Sequence, residues 1–249
     1  MRNTAMRVSP LFLALLAVTV AGGFLATLNS AFLYTTGVVL IVLGGWASSL
    51  CLHEFGHAIT AFRGGDHSVR AKGYLTLDPR HYTDPVVSLL LPILFVLIGG
   101  IPLPGGAVWI NHTALRSKKD EATVSLAGPL TNLLIGIGLT ASVATITMPP
   151  VLGAGLSYLA FLQVIAFVLN ILPVPGLDGY GAIEPWLSFR ARELGEKARP
   201  WAPLGIILIL FVIPGASYVF FNVAFGLFDA VGGTGRLAAA GNTVFRFWE

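Results

Sequence analysis

Apolar runs long enough to cross a bilayer constrain this chain more than any other feature. A helix needs about 20 apolar residues to cover roughly 30 Å of hydrocarbon. Candidate runs stand at 11–28, 31–62, 122–147, 151–172 and 203–228, the last with Pro214-Gly215 as an expected kink. A shorter run, 86–98, ends on Gly99-Gly100. The expected fold is an all-α polytopic membrane protein, because in lipid every backbone polar group needs an internal partner. Composition decides what is excluded. Only 11% of the 249 residues are charged and mean hydropathy is +0.80, against about 25% charged in a soluble domain. An ordinary soluble enzyme is thus ruled out. A net charge of +3 gives no basic surface for a nucleic-acid partner. The lone Cys51 excludes a disulfide framework. One membrane-embedded domain, 1–249, is expected, since the helices must pack on one another.

Arg2 and Arg7 precede the first run as they would in a secretory signal. The run is long for a signal core, however, and reads as a retained helix. The basic residues then set the topology. With the N-terminus in the cytoplasm and 86–98 re-entrant, 13 of the 15 Lys and Arg residues lie inside, leaving Arg236 and Arg246 outside. If 86–98 crosses, the split becomes nearly even, so the positive-inside rule favours five crossings and one hairpin. The prolines and glycines at 92, 99, 100, 102, 104, 105 and 106 suit a re-entrant turn, which is tolerated at depth only inside protein or beside a wet cavity.

Within the second run stands His53-Glu54-Phe55-Gly56-His57. Ionisable groups at such depth are costly and are functional candidates by default. On a helix, positions i and i+4 share a face. His53 and His57 can therefore offer two imidazoles to one ion, with Glu54 near a bound water, as in zinc hydrolases. A catalytic zinc usually takes three protein ligands. Asp178 is the candidate third, because Pro173, Pro175 and Gly176 end the preceding helix and leave it on unwound backbone at the same end as His57. Taken alone, Asp178-Gly179 would read as a surface turn.

Together these residues resemble the site-2 protease family of intramembrane zinc metalloproteases, in its compact bacterial and archaeal branch. The match runs from about 44 to 187. HExxH is at 53–57, Asn-x-x-Pro-x-Pro-x-x-Asp-Gly at 170–179, and Ser125-Leu-Ala-Gly-Pro-Leu-Thr-Asn132 is similar to the family's Gly-Pro-x-x-Asn helix. Residues 73–81 and Thr83-Asp84-Pro85 are similar to its sheet segment after HExxH. The chain departs from the pattern in leaving no room for an inserted PDZ domain, and Gly105–Trp109 lacks the usual basic residue. The resemblance implies a three-helix catalytic core from 31–62, 120–147 and 151–178, with flanking helices and a small membrane-associated β segment. It implies one zinc per chain held by His53, His57 and Asp178, with Glu54 as general base. Asn132 and Asn170 would hydrogen-bond backbone of substrate or enzyme, though Asn132 also suits a plain helix–helix contact. Activity would be hydrolysis of membrane-spanning substrates in or beside a prokaryotic cell membrane. Its partners would be a transmembrane substrate and lipid.

The apolar alternation over 66–83 is expected to form short strands whose edge pairs with an unwound substrate. Residues 182–199 are expected to form a helix on the anionic cytoplasmic leaflet. His67, His81 and His112 are read as loop or interface residues, not ligands. Two other classes remain open at this point: a transporter built on broken helices, and a silent scaffold of the same family.

Overall fold

The computed structural model describes residues 8–81 and 108–248. Ten α-helices are present among them, and no strand. Helix α1 (Pro10–Leu25) starts where Ser9 accepts the Leu11 N–H and Pro10 takes the first turn, which needs no donor. Helix α2 (Ala31–Gly64) runs until Gly65, whose φ of 122° is open only to glycine. Helices α1 and α2 pack backbone to backbone. A Cβ at Gly22 would lie 2.7 Å from the Gly37 carbonyl oxygen, the close approach that small residues permit where lipid supplies no hydrophobic drive.

Residues 66–81 differ from the strands expected over 66–83, whose last two residues lie outside the described ones. They form the short helix α3 (Ser68–Ala71) and two 3-10 turns, Tyr74–Thr76 and Pro79–His81. Two local hydrogen bonds explain this. The Ser68 N–H donates to Asp66 Oδ1, and the Arg80 N–H to Asp78 Oδ1, so each aspartate starts a turn two residues on. Gly73 and Leu77 then reverse the chain in the left-handed region. The alternation was a by-product of turns, not a pleat. The Ser9 N–H donates to the Thr76 carbonyl at 2.9 Å, so α1 begins at the end of the bundle where α2 finishes.

The expected re-entrant segment 86–98 lies outside the described residues. On its far side, the Arg116 N–H donates to the Gly64 carbonyl at 3.1 Å, again at the α2 C-terminus. Helix α4 (Lys118–Thr145) is capped by Ser117, which accepts the Asp120 N–H, and carries Asp120 and Glu121 in its first turn, where the helix dipole favours them. Helix α5 (Pro150–Asn170) is the most enclosed element, packed by α2 and α4. Helices α2, α4 and α5 are each long and apolar enough to cross a membrane, and the chain is a membrane protein that is all-helical among the described residues.

After α5 come α6 (Asp178–Ile183), a 3-10 turn at Glu184–Trp186 and α7 (Phe189–Ala198). The single surface helix expected over 182–199 is thus two, because Pro185 breaks it and Ser188 caps the second. The run 203–228 is likewise two helices, α8 (Ala202–Val212) and α9 (Ala216–Ala230), separated at Pro214 and by Gly215 with φ 85°. Helix α10 (Gly235–Phe245) folds back from α9 at 116° and crosses α5 so closely that Gly241 lies on the Ala154 carbonyl.

Candidate metal centre

One turn of α2 carries both histidines. His53, Glu54 and His57 are all buried, at the end of α2 nearer Arg63. Opposite them, α4 contributes three features. Gly128 removes the side chain that would strike both imidazoles: a Cβ there would sit 2.6 Å from His53 Nε2 and nearer still to His57 Nε2. Pro129 lacks the N–H that would bond the Ser125 carbonyl and so loosens this turn. Within the same turn the Val124 carbonyl accepts from His57 Nδ1 at 2.7 Å. One turn further on, the buried Asn132 places Oδ1 2.9 Å from His53 Nδ1. Helix α4 reaches this position because Gly56 of α2 lies against Thr131 and the Ala127 carbonyl.

These bonds set the tautomers. A carbonyl oxygen can only accept, so His57 Nδ1 carries a proton, and in the neutral ring that binds a metal Nε2 keeps a lone pair. With the Asn132 amide oxygen toward His53 Nδ1, the same holds for His53. Both Nε2 atoms point to a common region. They are 3.1 Å apart.

Asp178 closes the group. Helix α5 stops at Asn170, Pro173 and Pro175 cannot continue it, and Gly176 turns with φ 98°. Asp178 is the first residue of α6. Gly179 lets α6 lie directly on the Ile171 carbonyl, and Gly181 lets it lie against Ser125 of α4. Asp178 Oδ2 is 3.3 Å from His53 Nε2 and Oδ1 is 3.4 Å from His57 Nε2. Among the described residues this is the one group of three or more His, Cys, Asp or Glu side chains that converge closely enough for a metal.

The spacing fits a specific class of ion. Donors about 2.0–2.1 Å from a tetrahedral centre lie roughly 3.3–3.4 Å from one another. Here the two Nε2 atoms are 3.1 Å apart and each faces a different Asp178 oxygen, at 3.3 and 3.4 Å, so the group is compact enough to close on one ion. Two imidazole lone pairs and a carboxylate form an electron-rich cluster that repels itself unless a cation sits among them. Two nitrogens and one oxygen suit zinc, with a fourth position left for water.

Glu54 lies beside this group and is not one of its three ligand-bearing residues. Its Oε2 accepts the Val108 N–H at 3.1 Å. Asn132, expected on backbone or in a helix contact, bridges α4 to the His53 ring instead of a backbone group. Asn170 is buried at the last turn of α5. Two contributors escaped the sequence reading, the Val108 N–H and Asp66, while Gly128 entered it only within the Gly-Pro-x-x-Asn resemblance, with no role given. The Gly128-Pro129 pair signals a local irregularity in α4, but nothing in the sequence brings Val108 to Glu54.

Asp66 and Asp78 lie outside the apolar helices, in the turns that follow α2. Burial pushes the Asp66 carboxyl up, but hydrogen bonds from Ser68 and Asn111 outweigh it and hold the group below its usual value. The Arg80 guanidinium, clasping both Asp78 oxygens, lowers that carboxyl to about 2.

Comparison with known proteins points the same way. The chain is 49% identical to "Putative zinc metalloprotease Rip2" of Mycobacterium tuberculosis, over 100% of this chain and 97% of the relative. It is 44% identical to the protein of that name from Mycolicibacterium smegmatis, over 98% and 96% respectively. It is 31% identical to "Putative zinc metalloprotease YwhC" of Bacillus subtilis, over 69% and 80%. No family model matches the chain, and no solved structure does.

Proposed function

Because the chain belongs to the site-2 protease family of zinc metalloproteases, in its compact branch, we propose that it is an intramembrane endopeptidase holding one zinc. Its substrates are membrane-spanning proteins, cut within or beside the bilayer of a prokaryotic cell, in the manner of regulated intramembrane proteolysis. The observation that carries this reading is the convergence of the Asp178 carboxylate on two imidazoles of an apolar helix that also bears Glu54.

His53, His57 and Asp178 hold the metal, which when bound lowers the pKa of water toward 7 and polarises the scissile carbonyl. Val124 and Asn132 fix the two rings and raise the basicity of the nitrogens facing the ion. Glu54 takes a proton from the attacking water on one carboxylate oxygen and passes it to the leaving amine. The Val108 N–H holds the other oxygen. Water enters from the cytoplasmic end, where the Asp178 side chain is 24% exposed against 8% for each histidine. A substrate helix hides its carbonyls in internal hydrogen bonds and has to unwind before attack. The N-terminus of the chain lies in the cytoplasm, the side that the distribution of basic residues favours when 86–98 is re-entrant.

Co-expression with candidate single-span proteins tests this reading. The intact chain should release fragments, and Glu54→Gln should release none while keeping equimolar zinc. A general base contributes about 10²–10⁴ in rate, so cleavage by Glu54→Gln at the parental rate would overturn the assignment.

A further inference from the structure

The segment Val108–Asn111 is held at three points. At one end the Val108 N–H donates to Glu54 Oε2. In the middle, Lys72 Nζ donates to the Trp109 carbonyl at 2.9 Å. At the other end the Asn111 N–H donates to Asp66 Oδ2 at 2.7 Å. Asp66 is itself tied to α2, since its own N–H bonds the Ala61 carbonyl at 2.9 Å. Both ends of the segment are therefore anchored to the helix that carries the metal-facing histidines. Glu54 lies roughly 15 Å along α2 from its C-terminal end, and three residues of chain reach roughly 10 Å when fully extended. The segment and the two carboxylate side chains together bridge that span.

Asp66 is 1% exposed, and both its oxygens are used: Oδ1 by the Ser68 N–H and Oδ2 by the Asn111 N–H. An asparagine there would turn its NH₂ toward one of these two donors, and burial leaves little room for water to substitute. Only a carboxylate satisfies both.

We propose that Asp66 is a positioning residue for peptide hydrolysis: by anchoring Asn111 it keeps the 108–111 segment drawn along α2, so that the Val108 N–H fixes the rotamer of the Glu54 carboxylate. It touches neither metal nor reacting atoms. The inference takes from the peptidase reading only the role of Glu54. That Asp66 holds the segment stands on geometry alone.

Asp66→Asn in the full chain, reconstituted in lipid, tests the proposal by hydrogen exchange and by kinetics. Amide exchange in a peptide covering 108–116 should rise about tenfold or more, while peptides from α2 and α4 stay protected. Zinc content should remain equimolar. With a cleavable substrate, kcat should fall about tenfold, about 1.4 kcal/mol in the barrier, with KM within about twofold of the parent. A residue that merely stabilised the fold would instead lose zinc and protection throughout. Lys72→Met, at the exposed middle anchor, should shift exchange and kcat in the same direction by a smaller factor. It also serves as the test if Asp66→Asn does not fold. Unchanged exchange at 108–116 overturns the proposal, as does raised exchange with unaltered kcat, or zinc loss in Asp66→Asn. If Glu54→Gln proves fully active, the peptidase reading fails instead, and the exchange data still decide whether Asp66 holds the segment.

Discussion

Replacing Gly128 with alanine should weaken zinc binding at the centre while leaving the bundle folded. The new Cβ would lie 2.6 Å from His53 Nε2 and closer to His57 Nε2, where ordinary contact begins at 3.4 Å. Helix or rings must therefore yield by roughly 1 Å, whereas metal–ligand distances tolerate about 0.2 Å. The helix has little freedom to move, because Thr131 Oγ1 and the Ala127 carbonyl already lie 2.7 and 2.9 Å from where a Cβ on Gly56 would be. The rings can swing aside only when they do not share an ion, so the strain appears as lost affinity. Overpacking of this kind costs about 1–3 kcal/mol, which corresponds to roughly 5- to 150-fold in Kd. Gly138→Ala on the same helix is the control: nothing lies within 4 Å of its Cβ, and helix propensity favours alanine there by up to about 1 kcal/mol. Zinc affinity is read by competition with a chelator on purified protein, alongside thermal melting. If Gly128→Ala binds zinc as tightly as Gly138→Ala, the close approach of α4 to the imidazoles is not what shapes the centre.

Asn132→Ala should weaken zinc binding by about 10–100-fold, the usual cost of removing the partner of a ligating imidazole, measured by the same competition. Asp78 contributes stability that depends on pH. Its folded pKa of about 2 is depressed, so its contribution is full above the unfolded value near 4 and is lost as pH falls toward about 2. Asp78→Asn should therefore melt below the parent at pH 7 and converge on it near pH 2. The gap is about 1 kcal/mol, because the exposed Arg80 is screened by solvent. Cysteines placed at Arg63 and Asn111 should react with impermeant reagent from the same face of the membrane, because Asn111 bonds Asp66 beside the end of α2. Labelling from opposite faces would refute that.

The long apolar helices were legible because their length is a direct demand of the bilayer. The grouping of His53 with His57 was legible because a four-residue spacing leaves a helix little choice. Asp178 was reachable through Pro173 and Pro175, which end α5 and free the backbone. The turns at 66–81 were misread because alternating apolar residues were given more weight than Asp66 and Asp78, each of which binds an N–H two residues on. Gly128 was legible only as part of the Gly-Pro-x-x-Asn resemblance, which gives it no contact with the imidazoles. Its role depends on the angle at which α4 crosses α2, which is a property of the packed pair. The Val108 contact was out of reach for a similar reason, since it joins residues far apart in sequence through a backbone group that carries no side-chain signature.

X-ray absorption at the zinc edge on the purified chain bears most directly on the claim that His53, His57 and Asp178 hold one zinc. The predicted spectrum has two imidazole nitrogens and light oxygen donors at about 2.0–2.2 Å. One zinc should be present per chain, and the signal should be lost in His57→Ala. A preparation without zinc that is active in cleavage would contradict the account, as would a sulfur shell at about 2.3 Å from Cys51 or an unchanged spectrum in His57→Ala.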